Sequence, residues 1–168
     1  FIGTQVADLS PLAELSELRW LYLGQSKVVD LSPLSKLVAL TRLHLADTPI
    51  RTIRPLQAMK NLEFLNISGT QVDDISVVED FSHLRVLNIA KTKVSDLKPV
   101  KNLVSLVSAA STKSDDAGFS FDGSPISDPK IWNYSKLKNP ARTIETINYL
   151  RAQAGLPNVV LDEAPQSQ

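Results

Sequence analysis

The sequence contains no cysteine, which removes disulfide staples, thiolate metal sites and thiol redox chemistry, and fits a cytosolic or bacterial chain. No apolar run approaches the roughly 18 residues that a membrane-spanning helix needs, so no membrane span is expected. Net charge is missing as well. Eighteen Lys plus Arg balance 18 Asp plus Glu, and without a basic field nothing draws the chain onto nucleic acid or an anionic membrane surface. There is no Gly-rich motif to cradle a phosphate. The two histidines, His44 and His83, fall at different phases of the pattern described below and do not converge on a metal or a nucleophile. The acid pairs Asp73-Asp74 and Asp115-Asp116 lack a poised base or oxyanion loop, and adjacent acids in turns are commonly solvated. The chain is therefore expected not to be an enzyme and to need neither cofactor nor metal. No charged, then apolar, then small-residue leader follows Phe1. A stretch of the N-terminus is expected to be missing. That leaves the compartment open: cytoplasmic is favoured, with a secreted or surface location if a signal has been trimmed away.

What is present is periodicity. The 168 residues, 43% of them apolar, suffice for one folded unit. Leu18, Leu40, Leu62, Leu84 and Leu106 recur every 22 positions. In step with them run Leu21, Leu43, Leu65 and Leu87, and then Leu23, Leu45, Ile67 and Ile89. Each copy thus holds an apolar-x-apolar triplet, the alternation of a short strand. Four more columns follow at fixed phase: Val6 to Val94, Leu9 to Leu97, Leu12 to Val100, and Leu15 to Leu103 through Leu37, Met59 and Phe81. One copy has too little apolar surface to fold alone, so copies must stack and bury one another in a nearest-neighbour array.

The pattern L-x-x-L-x-L followed by T-x-V-x-D-L-x-P-V, as in Leu84 to Val100, resembles the leucine-rich-repeat family, and its 22-residue period is similar to the internalin type. The resemblance implies an α/β solenoid: a right-handed superhelix with short parallel strands on the concave face, short 3₁₀ turns on the convex face and an α-helical cap at the C-terminus. The resemblance also suggests a bacterial source and contact with a host protein. Where the familiar repeat carries Asn after the strand, this chain has Thr4, Ser26, Thr48, Thr70 and Thr92, whose hydroxyls are expected to satisfy backbone groups in the turn. Pro11, Pro33, Pro55 and Pro99 suit the first turn of a short helix, the serine before Pro11 and Pro33 is placed to cap it, and Asp8, Asp30, Asp74 and Asp96 are expected to steady the same turns.

After Leu106 the pattern falters over Ser108 to Gly118 and resumes at Phe119-Ser120-Phe121, which aligns with Leu87-Asn88-Ile89. A final copy with an insertion of about ten residues is expected, its two Phe plugging the open end of the core. The expected organisation is 1-126 repeats, 127-157 helical cap and 158-168 tail or linker. Within the cap a short helix is predicted to about Leu137. A second starts at Asn139-Pro140 with Ala141, Ile144, Ile147, Leu150 and Ala154 on its buried face, and Gly155 and Pro157 stop it.

The residues flanking the core position of each strand face outward: Trp20 and Tyr22, Arg42 and His44, Phe64 and Asn66, Val86 and Asn88. With strands about 4.8 Å apart, they form a ladder rich in residue types that dominate binding hot spots. The ladder turns small and polar at Ala90, Ser120 and Asp122, so a partner should contact the N-terminal half. The sequence reading is a non-catalytic module binding another protein on this face, monomeric as an isolated fragment. Alternatives are a sensor or scaffold segment of a larger protein or enzyme, a face that stacks on glycans, and aromatics that merely cover the strand edges or touch a missing N-terminal segment.

Overall fold

The computed structural model describes residues 3–106, 118–126, 128 and 139–159. Five short strands, β1 (Trp20–Tyr22), β2 (Arg42–His44), β3 (Phe64–Asn66), β4 (Val86–Asn88) and β5 (Gly118–Ser120), form one parallel sheet in chain order. Their register places Leu21 beside Leu43, Leu43 beside Leu65, Leu65 beside Leu87 and Leu87 beside Phe119. The step to β5 is ten residues longer than the others, as the sequence alignment requires. The inserted residues 107–117, the expected helix ending near Leu137 and the tail beyond 159 lie outside the described residues.

Parallel neighbours need a crossover between them, and here each of the four passes through a 3₁₀ turn on the far side of the coil: Ser32–Leu34, Arg54–Leu56, Ser76–Asp80 and Lys98–Asn102, with a fifth such turn, Ser10–Leu12, preceding β1. Between sheet and turns lie the apolar columns, with Leu43, Leu65, Leu87, Leu34, Leu56 and Val78 fully buried. In the column of Leu37, Met59, Phe81 and Leu103, every member is fully buried, whereas Leu15 of the first copy is 48% exposed. No described coil lies before the first to cover Leu15, although Leu9 of the same copy is buried.

The serine-capping expectation is corrected. Ser10 and Ser32 are the first residues of their turns, the capping positions fall on Leu9 and Leu31, and neither turn has a side-chain cap. The acceptor comes two residues earlier: Asp8, Asp30 and Asp74 Oδ1 accept the N–H of Ser10, Ser32 and Ser76 at 2.8 Å, and Asp96 accepts that of Lys98 at 2.9 Å. A short side chain before a tight turn bonds the backbone two residues on. The hydroxyl column behaves as expected in the inner copies: Thr48, Thr70 and Thr92 Oγ1 donate to Leu45, Ile67 and Ile89 O at 2.7 Å. In the first two copies it does not, since Thr4 Oγ1 and Ser26 Oγ are buried without a hydrogen-bond partner.

Two columns went unread in the sequence. Gly3, Gln25, Asp47, Gly69, Lys91 and Gly123 all have φ between 55° and 73°. The first five donate their N–H groups across to the next coil, as in Asp47 N to Ser68 O at 2.8 Å. This left-handed residue turns the chain out of each strand, and glycine at three of the six positions was the available signal. The second column is a ladder of side chains on the preceding coil's backbone: Asn61 Nδ2 donates to Val38 O, His83 Nδ1 to Lys60 O and Ser105 Oγ to Ser82 O. His83 therefore has a structural role between coils.

At the C-terminal end, Phe119 and Phe121 are buried with ring centroids 5.1 Å apart, filling the core where the array stops. Helix α1 (Asn139–Gln153) lies against β5 and the last 3₁₀ turn. Its buried face differs in phase from the expected one: Thr143, Thr146, Ile147 and Leu150 are buried, Ile144 is partly buried, and Ala141 and Ala154 are exposed. The reason is the free edge of β5, because Thr143 Oγ1 accepts the N–H of Phe119 at 3.1 Å. Apolar periodicity alone does not register a threonine that must face a strand edge. Gly155, at φ 69°, ends the helix with Leu156 N donating to Arg151 O at 2.9 Å, the left-handed stop expected of glycine past a helix end.

Candidate protein-binding face

The sheet brings the eight outward residues into two rows. Trp20, Arg42, Phe64 and Val86 stand side by side in one row, and Tyr22, His44, Asn66 and Asn88 in the other. The parallel register is the cause: a residue on one strand faces its counterpart one copy on, and the pleat keeps both flanking positions on the same side. Trp20 is 64% exposed, the most exposed large apolar side chain of the described residues. The Arg42 guanidinium lies 5.8 Å from the centre of the Trp20 ring, within range for a cation–π contact.

Rings stack within the second row and across to the first. Tyr22 and His44 centroids are 5.9 Å apart with planes 25° from parallel, and His44 and Phe64 are 6.4 Å apart at 14°. Gly24 makes room for this: a Cβ there would sit 2.8 Å from His44 Cε1 and Nδ1, so any larger residue would push the imidazole off the strand face.

Asn66 and Asn88 are partly committed to the fold. Asn66 Oδ1 accepts from Ser68 N at 3.0 Å and Ser68 Oγ at 2.8 Å, and Asn88 Oδ1 accepts from Ala90 N at 3.0 Å. That orientation turns the Asn66 amide nitrogen toward His44, where Nδ2 donates to Nε2 at 3.3 Å. His44 Nε2 is then an acceptor, so the neutral ring carries its proton on Nδ1. That nitrogen is buried with no hydrogen-bond partner. Burial holds the His44 pKa below its ordinary value, outweighing the opposing effects of the residue's own backbone and of the Asp47 charge.

The face is graded along the array. Its first three strands carry the aromatic plates, whereas β4 and β5 offer Val86, Asn88 and Ser120, followed by Ala90 and the exposed Asp122. All eight predicted residues share one surface. Sequence reasoning missed the contribution of Gly24 and the internal use of the two asparagines. Among the described residues no group of three or more His, Cys, Asp or Glu side chains is placed to hold a metal ion, and no helix is long and apolar enough to cross a membrane.

A family model described as leucine-rich repeats (2 copies) matches residues 38–83. Among solved structures, an internalin C2 from Listeria monocytogenes is 27% identical with a TM-score of 0.67, over 77% of this chain and 53% of that one. A second Listeria monocytogenes internalin is 22% identical with a TM-score of 0.57, over 78% of this chain and 42% of that one. A leucine-rich-repeat protein from Leptospira interrogans is 19% identical with a TM-score of 0.63, over 89% of this chain and 33% of that one. The chain thus spans about half the length of the internalin C2 chain and less of the other two. Comparison with curated proteins returns no match.

Proposed function

Since this chain is a leucine-rich-repeat solenoid with repeats of the internalin type, we propose that it is a non-catalytic recognition module that holds another protein on its strand face. The fold generally serves protein interaction, and a rigid array is suited to it because the contact residues are ordered before binding and little side-chain entropy remains to be lost. The observation that carries the reading is the aromatic ladder itself. Trp20, Tyr22, His44 and Phe64 stand together on one open surface with Arg42 laid over the indole, although a soluble array has no packing need for an indole that is 64% exposed. Trp, Tyr and Arg are the residue types that carry most binding energy at protein interfaces.

Binding belongs to the N-terminal half of the face, where these residues lie. Asn66 and Asn88 act mainly by shaping the surface, since their carbonyl oxygens already serve the backbone. This engagement also weighs against a glycan, which needs free amide groups beside its stacking rings.

The test is a pull-down with the whole chain and with Trp20→Ala and Phe64→Ala. Each substitution is expected to cost a specific partner about 2 kcal/mol or more, roughly thirtyfold in affinity, while the urea unfolding midpoint stays within error of the parent. A partner retained equally by the parent and both variants would place recognition off this face.

A further inference from the structure

We propose that the segment bound by the strand face is acidic and carries an apolar side chain, which stacks on Trp20 and Phe64 while a carboxylate pairs with Arg42. The proposal rests on the strand-face reading and adds the chemistry of the partner. Its basis is the distribution of charge.

The ion pairs found among the described residues lie away from the strands. Lys36 pairs with Glu14, Arg54 with Asp74, Lys60 with Asp80 and Lys101 with Glu79, each joining turns of neighbouring coils. The outward positions of the strands carry one formal charge. Trp20, Tyr22, His44, Phe64, Asn66, Val86 and Asn88 surround Arg42, which is exposed. Its side chain has no ion pair or hydrogen bond within the described residues. The nearest acid past β2 is Asp47, whose charge acts on His44.

Arg42 is also the cation held over Trp20. A guanidinium stacked on an indole keeps its in-plane donors free, and that planar fork matches a carboxylate in two parallel hydrogen bonds. The corner thus presents an apolar plate bordered by an uncompensated positive charge. A ligand with an apolar side chain next to a carboxylate satisfies both, whereas a basic ligand would meet like charge on first contact.

The experiment is selection of a random peptide library displayed on phage against the full 168-residue chain, followed by affinity measurement of one enriched peptide as a synthetic probe at low and high salt. Enriched sequences are expected to pair a large apolar residue with Asp or Glu. Arg42→Glu should weaken the probe about tenfold or more, the cost of reversing one close charge pair. Arg54→Glu, on the opposite side, should leave it unchanged, and the probe should bind more weakly as salt rises. Enrichment of neutral or basic sequences that still require Trp20 and Phe64 overturns the acidic class and leaves strand-face recognition standing. Enriched sequences that bind Trp20→Ala, Phe64→Ala and Arg42→Glu as tightly as the parent overturn both.

Discussion

At the residue scale, six turns pass through the left-handed region at one column, and three of them do so without glycine, at Gln25, Asp47 and Lys91. Gly69 belongs to the same column at φ 69°, and a Cβ there would approach Asp47 Oδ1 to 2.1 Å. Gly69→Ala is expected to destabilise the chain by about 1–2 kcal/mol from the backbone conformation, with a further cost for displacing the Asp47 side chain. The double variant Asp47→Gly, Gly69→Ala should recover the second part. Urea denaturation reads both, and a Gly69→Ala protein as stable as the parent would remove this account of the turn.

His44 makes a pH prediction at the same scale. Its pKa in the folded chain lies below the ordinary value of 6.5, so the unfolded chain takes up the proton first as pH falls. The stabilisation of the neutral ring is then fully present above pH 6.5 and is lost between that value and the lower folded pKa. Protonation also places a hydrogen on Nε2, facing the Asn66 amide donor. The thermal midpoint of the parent should fall between pH 7.5 and pH 5 by more than that of His44→Gln. Parallel profiles for the two proteins would exclude His44 as the cause.

At the scale of elements, β5 poses the problem. A terminal strand exposes unpaired N–H and C=O groups that invite further pairing, and α1 meets this with a hydroxyl, Thr143 Oγ1 accepting from Phe119 N. Both groups are buried, so Thr143→Val, which keeps the shape and removes the acceptor, should cost about 1–3 kcal/mol. Thr143→Ser should restore most of that. Hydrogen exchange at the Phe119 amide is the direct readout, and unchanged protection in the valine variant would show that another group covers the edge. The existence of α1 and its glycine stop were legible in the sequence from Asn139-Pro140 and Gly155. Its rotational phase was not, because Ala141 and Ala154 read as apolar while Thr143 and Thr146 read as polar. The edge of β5, 24 residues from Thr143, decided which side turned inward. The 3₁₀ turns were similarly legible from their prolines, but the capping group was assigned to serine when the longer reach of the preceding aspartate supplies it.

At the scale of the whole molecule, stability is a sum over coils and the interfaces between them, so the same substitution has different costs along the array. Leu65, fully buried between β2 and β4 neighbours, should cost about 2–5 kcal/mol on change to alanine by opening a cavity. Leu15, 48% exposed in the first copy, should cost less than about 0.5 kcal/mol. In a Trp132→Phe background, which leaves Trp20 as the one indole, denaturant unfolding followed by fluorescence and by circular dichroism should coincide without further change and separate on adding Leu65→Ala, as the array breaks into two units at the weakened interface. Coincident transitions in that variant would mean that the coils unfold only together.

The repeat alone determined the sheet, its register and the content of the core. A side chain that recurs at one phase of a 22-residue period can be buried in every copy only if the copies stack in parallel and in step; any slip exposes whole columns at once. The same phase argument placed the eight outward residues on one face. Only the tertiary structure decided how polar atoms meet across coils: Arg42 over Trp20, Asn66 on His44, Asp47 against Gly69, Thr143 on the edge of β5. Burial of apolar surface depends on area and tolerates small displacements, so a pattern suffices to predict it. A hydrogen bond or a stacked cation depends on distances of a few tenths of an ångström between residues far apart in the chain, and no linear pattern carries that information.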